Sequence, residues 1–209
     1  SAVNTVQKMT IQSGFRIAKS AKAKAIFIFL DAIDRLDTID ALPKGCKLIL
    51  VTQRHKDEIS PTSLKEIEKH NPILLTLPKI HLTRMSHIKI AVMLALSKKM
   101  INMGDKIVFI SGVKEMSTLD TILLLDTAKE TEILTSQGMT SISDTVKPEI
   151  FQEALNISIE LSSRGREGKS VGTIFVLGDE EQVLQLSRQM VINPFKGYEK
   201  AECNIMNPA

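Results

Sequence analysis

Short, unbroken apolar runs recur along the first 125 residues, separated by polar stretches with helical spacing. The runs are residues 25–30 (AIFIFL), 47–51 (KLILV), 73–77 (ILLTL), 106–110 (KIVFI) and 121–125 (TILLL). A run of this length without polar alternation suits a strand covered on both faces. Between the runs, residues 5–20 place Val6, Met9, Ile17 and Ala18 at helical intervals. Ser60-Pro61 opens a second helical stretch over 63–70, with Glu66 and Lys69 on its polar side. Residues 86–100 carry the clearest helical stripe: Ile88, Ala91, Val92, Ala95 and Leu96. Lys98-Lys99 lie near its C-terminal end, and Gly104 marks the stop. Strands alternating with helices predict an α/β domain over residues 1–128, a mostly parallel sheet with helices on both faces.

Residues 129–147 are polar, rich in Thr and Ser, and lack helical periodicity. They are expected to be a linker, with a short edge strand over 132–134. Residues 148–209 predict a partial second α/β segment. Pro148 suits the first turn of a helix, and Ile150, Ala154, Ile157 and Leu161 give that helix its stripe. A strand is expected over 171–177 (VGTIFVL). A last helix is capped by Asp179 with Gln182 as capping-box partner; Val183, Leu186 and Met190 form its buried side. Asn193-Pro194 ends it. One strand cannot make a sheet, so these elements either extend the first sheet or belong to a domain that is cut short.

Composition narrows the function classes. The net charge of +3 comes from lysines spread along the chain, and with one Tyr and no Trp little is available for stacking bases. Neither nucleic acid nor a membrane is an expected partner. No apolar run approaches the length of a membrane span, and no signal-peptide core is visible at the N-terminus. Cys46 and Cys203 lie far apart without a CxxC or Cys/His cluster, so zinc is not indicated. Cys46, at the edge of an apolar run, reads as a small core residue. A reducing cytoplasm is the expected setting.

Residues 165–179 (GREGKSVGTIFVLGD) contain the Gly-Lys-Ser ending of a phosphate-binding loop. The first glycine of that motif should stand at position 163, which is Ser163. The order is also reversed, because a phosphate loop runs from strand to helix and here a helix precedes and a strand follows. The stretch reads as a turn. His81 and His87 are six apart with no third ligand, which suits surface or capping roles. Glu115, Asp120 and Asp126 read as solvated loop carboxylates. Ser111 and Gly112 close a parallel strand, where backbone N–H groups can receive a small anion. They are the candidate binding residues; no catalytic or metal-ligating residue is assigned.

Two stretches resemble known families. "GFRIAKSAKAKAIFIFL", "CKLILVT" and "MINMGDKIVFISG" make residues 1–112 similar to the C-terminal domain of pyruvate kinase. Some members of that family bind a phosphorylated effector through a Thr/Ser/Gly-rich loop after the first strand. Here residues 31–40 (DAIDRLDTID) are acidic and lack glycine, so that site is not carried over. "SRGREGKSVGTIFVLGD" and "LSRQMVINPFKGYEKAECNIMNP" make residues 148–208 resemble the opening of a diadenylate cyclase domain of the archaeal type. The resemblance implies condensation of two ATP into cyclic di-AMP with a divalent metal, Mn or Mg. It also implies a homo-oligomer, because a two-fold symmetric product calls for facing active sites. The family's Asp-Gly-Ala and Arg-His-Arg motifs belong further along than residue 209. Leu30-Asp31-Ala32 and Arg54-His55-Lys56 look like them but precede the cyclase-like segment, so chain order excludes both. The expectation is a regulatory or assembly portion of a diadenylate cyclase, inactive alone. The alternatives are a sensory module for a small anion or nucleotide, and a scaffold for oligomers.

Overall fold

The computed structural model describes residues 2–33, 36, 42–54, 58–59, 68, 70–79, 83–113, 117–129, 146–164, 173–178, 180–188, 196–199 and 201–204. The chain forms two compact units, Ser1–Gln137 and Gly138–Ala209.

Unit 1 contains one five-stranded sheet. Its strands are β1 (Ala25–Phe29), β2 (Lys47–Thr52), β3 (Ile73–Thr76), β4 (Lys106–Val113) and β5 (Thr118–Asp126). The spatial order is β3-β2-β1-β4-β5. The first four are parallel; β5 returns antiparallel beside β4. The five apolar runs are thus the five strands, of an α/β sheet that is mostly parallel. All of β1 is buried, as two-sided cover requires.

Helix α1 (Ala2–Ala21) precedes β1, and helix α2 (Arg84–Ser97) crosses over from β3 to β4. The pleat shows which face each covers, because alternate side chains along a strand point to opposite sides. A Cβ on Gly14 of α1 would sit 2.5 Å from Ile110 Cδ1, with Val108 Cγ1 next to it. Val108 and Ile110, with their register partners Ile26 and Ile28, therefore face α1. The intervening Phe27 and Phe109 stack on the other face at 5.2 Å, and Phe29 meets His87 of α2 at 4.6 Å. The sheet is thus covered on both faces.

The helices match the sequence expectation unequally. In α2, Ile88, Ala91, Val92, Ala95 and Leu96 are all buried. In α1 the buried side is Gln7, Ile11, Phe15 and Ala18 around Gly14, while Val6, Met9 and Ile17 are exposed. The close approach at Gly14 sets the rotation of this helix. The expected helix over 63–70 and the expected edge strand over 132–134 lie almost wholly outside the described residues.

In unit 2, α3 (Pro148–Arg164) begins at the proline and buries Phe151 and Ala154, while Leu161 is exposed. The strand expected over 171–177 does not form across 173–177, the part that is described. No described residue pairs with it, and a strand without a ladder leaves its backbone groups to water. Ile174 is 91% exposed. Helix α4 (Glu180–Leu186) has no buried residue, and Leu186 is also 91% exposed, so Val183 and Leu186 do not form a buried side. Asp179 and Met190 lie outside the described residues.

Gly112 is the most constrained position of the sheet. A Cβ there would stand 1.9 Å from the Thr118 carbonyl oxygen and 3.1 Å from Ala32 Cβ. Backbone cannot give way as a side-chain tip can, so Gly112→Ala should cost at least about 3 kcal/mol. A urea titration of the variant against the parent chain checks this.

Candidate functional site

The strand order reverses at β1. The chain moves outward through β2 and β3, then returns to place β4 on the other side of β1. In open α/β sheets, ligands sit at such a switch point, beyond the carboxyl ends of the strands. Here the β1 end is the 3-10 turn Leu30–Ala32 and the β4 end is Ser111–Val113. Two charged clusters flank them.

The first ties β1 to β2. Asp31 Oδ1 accepts hydrogen bonds from Thr52 Oγ1 at 2.6 Å and Arg54 Nε at 2.9 Å. Asp31 Oδ2 accepts from the Gln53 backbone N–H at 2.6 Å. Arg54 Nη2 donates to the Leu30 carbonyl at 3.2 Å, and the Arg54 backbone N–H donates to Thr52 Oγ1 at 3.0 Å. The Asp31 side chain is 6% exposed against 36% for Arg54. A carboxylate this buried is tolerable because both oxygens are saturated and a guanidinium neutralises it. The cluster continues sideways. Gln53 Nε2 donates to the Pro78 carbonyl at 2.7 Å, and His87 Nε2 lies 3.2 Å from Gln53 Oε1. The two tripeptides that chain order excludes as catalytic motifs therefore meet here, and their first-order role is to clamp strand ends. His55 and Lys56 lie outside the described residues.

The second cluster joins α2 to β5. Thr83 caps α2, its Oγ1 accepting from the Ser86 N–H at 3.2 Å. Arg84 Nη1 lies 3.1 Å from Asp120 Oδ1, and Nη2 donates to Asp120 Oδ2 at 3.3 Å. Arg84 also donates to Thr121 Oγ1, which in turn donates to Asp120 Oδ1 at 2.8 Å. This arrangement comes from a β-bulge. Ser111 pairs with Thr121 but Gly112 pairs with Leu119, so Asp120 is an extra residue in β5. A bulge re-aims side chains, and this one brings Asp120 and Thr121 to the same guanidinium. Asp120 thus lies in a strand and is ion-paired while still partly exposed, a correction to the expectation of a solvated loop carboxylate. Asp126 sits at the opposite end of β5, paired in register with Lys106, and Glu115 lies outside the described residues.

Ser111 and Gly112 lie inside β4 and are buried there by pairing with β5. Ser111 Oγ and Thr118 Oγ1 are buried and make no hydrogen bond among the described residues. His81 and residues 165–169 lie outside the described residues; His87 packs on Phe29. Among the described residues, no group of three or more His, Cys, Asp or Glu side chains could hold a metal ion, and no helix is long and apolar enough to cross a membrane.

Residues 7–135 match the family described as "Probable sensor domain DacZ_P". The chain belongs to this family. Over 223 aligned positions it is 25% identical to a diadenylate cyclase of Methanocaldococcus jannaschii, covering 92% of this chain and 67% of that protein. A 49-residue stretch is 35% identical to a diadenylate cyclase of Haloferax volcanii, covering 23% of this chain and 18% of that one. Two crystal structures of pyruvate kinase from Cryptosporidium parvum align with TM-scores of 0.41 and 0.40, at 19% and 16% identity. Each covers 58% of this chain, and the aligned part is 23% and 22% of those chains.

Two outcomes test the side-chain environments. Asp31→Ala removes the acceptor for two neutral donors and a guanidinium, so it should cost about 3 kcal/mol in urea unfolding. Arg54→Ala leaves the buried Asp31 carboxylate without its neutralising guanidinium, so it should cost a similar amount, about 3 kcal/mol. Burial pushes the Cys46 thiol up to about 11, whereas Cys203 is exposed. At pH 8 a thiol reagent should therefore modify one equivalent, at Cys203, and reach Cys46 only in denaturant. Peptide mapping after alkylation reads this directly.

Proposed function

We propose that this chain is the sensory and regulatory portion of a diadenylate cyclase, with unit 1 as the sensor and residues 148–209 as the opening of the cyclase-like domain. The observation that carries the reading is the match of residues 7–135 to the sensor family within a chain aligned over 92% of its length to a diadenylate cyclase. The apolar segment over 173–186 supports the second half of the proposal. Ile174, Leu184 and Leu186 are strongly exposed, which leaves this segment an apolar surface for a further packing partner. The reaction proposed for the complete enzyme joins two ATP into cyclic di-AMP with the help of a divalent metal. The described residues do not group into a metal-binding set, so no step through ATP or metal is assigned to them.

The proposal includes a cytoplasmic homo-oligomer, since a symmetric cyclic dinucleotide is made most simply between two facing active sites. The exposed stripe of Val6, Met9 and Ile17 on α1 offers unit 1 an apolar surface for assembly.

A product assay tests the reading. This chain, and a version extended by the remainder of a diadenylate cyclase domain, are incubated with ATP and manganese. Cyclic di-AMP is expected from the extended version alone. Product from the 209-residue chain would contradict the division of labour, and no product from either would remove the cyclase assignment.

A further inference from the structure

The switch point between β1 and β4 holds an unusual combination of groups. Ser111 precedes the bulge and lies on the α2 side of the sheet with Phe109, by the pleat alternation and the stacking of Phe109 on Phe27. Its register partner is Thr121, which Arg84 of α2 contacts. Thr118 pairs with Val113, two positions beyond Ser111, so alternation returns it to the same side. Two buried hydroxyls without partners therefore lie on the side of the sheet that carries this guanidinium and the first turn of a 14-residue helix. A buried hydroxyl without a partner forgoes a hydrogen bond that water or a ligand would supply.

The partner that Arg84 already has is replaceable. The Arg84 and Asp120 side chains are 34% and 28% exposed, so both remain partly hydrated and their attraction is screened. The contrast with Asp31 is direct, since that carboxylate is almost wholly buried and all its donors are internal. An oxyanion arriving at Arg84 would replace the Asp120 carboxylate with another anion. It would also accept from Ser111 Oγ and Thr118 Oγ1, which the free protein leaves unused. The positive end of the α2 dipole favours the same charge.

We infer that this switch point binds a small oxyanion, a carboxylate or a phosphate, through Ser111, Thr118 and Arg84, and that the ligand displaces Asp120 from Arg84. The inference rests on the sensory reading of unit 1 and gives that reading its site. Asp120 then acts as an internal stand-in that holds Arg84 in place until the ligand arrives. Because Asp120 is the bulged residue of β5, its release changes the edge strand of the sheet, where a sensor can pass a signal on.

Calorimetric titration of the full 209-residue chain with inorganic phosphate, and separately with malonate, tests this. Saturable binding of phosphate at millimolar concentration assigns a phosphorylated ligand; saturable binding of malonate assigns a carboxylate. Arg84→Gln, and Ser111→Ala combined with Thr118→Val, should each weaken that binding by about tenfold or more. Asp120→Asn should tighten it, because the competing carboxylate is gone. Thermal melting controls for folding: Ser111→Ala should melt no lower than the parent, since its hydroxyl makes no bond to lose. The inference is overturned if neither probe saturates, if Asp120→Asn weakens binding or leaves it unchanged, or if either hydrogen-bonding variant binds as the parent does. Anion binding with this pattern would survive a failed cyclic di-AMP assay, and an active cyclase would survive a failed titration, so the two readings fall separately.

Discussion

The placement of β1 is the constraint on which the rest of unit 1 depends. It is buried along its whole length and hydrogen-bonded in parallel on both sides, to β2 and to β4. Neither neighbour can pair until the chain has made a crossover, so β1 is where sequence-distant parts of the chain are brought into register. Its two faces also dictate the helices. Ile26 and Ile28 need α1, while Phe27 and Phe29 need α2. The reversal of strand order at β1 then makes the end of this strand a place where loops diverge and polar groups can gather.

A fully buried strand announces itself through composition, which is why all five strands were legible as apolar runs. What surrounds them was less so, for specific reasons. The inward side of α1 includes Gln7 and Gly14, which carry no apolar signal, while Val6, Met9 and Ile17 carry one and face outward. Position on a helix is set by the closest backbone approach, here at Gly14, and hydropathy does not report it. The opening of β5 was obscured by Asp120 and Thr121, and a bulge leaves no mark in a periodicity count. The segment 171–177 shows the opposite error. Its pattern states what a strand there would bury, yet a ladder needs a second strand.

Of the candidate site, only the end of β4 was legible. Ser111 and Gly112 could be read as a strand end, because KIVFI leads into them. The partners could not be read. Asp31 and Arg54 are separated by 23 residues, and Arg84 and Asp120 by 36. No local spacing rule links positions that far apart. The available signal was weaker and geometric: Asp31 and Arg54 stand just beyond apolar runs, Arg84 at a helix start, and Asp120 just before the run of the antiparallel strand, all at the same end of the sheet. Leu30-Asp31-Ala32 and Arg54-His55-Lys56 look like cyclase motifs, and the clamp between Asp31 and Arg54 shows a structural use for the same residue types.

The two Arg–Asp pairs at the top of the sheet show how environment divides one chemistry into two roles. Around Asp31 every acceptor lone pair in use points at a donor inside the protein, so opening the pair would strand a buried charge. Around Asp120 both charges keep access to water, and opening the pair costs little. The first pair can only hold β1 to β2. The second is free to open, and two buried hydroxyls without partners lie on the same side of the sheet. A sensor needs both properties within a few residues: a strand end fixed well enough to define the site, and a contact loose enough to be replaced. Such a contact must also sit on an element able to move. A bulged edge strand meets that requirement, because its ladder is already interrupted at the residue that lets go.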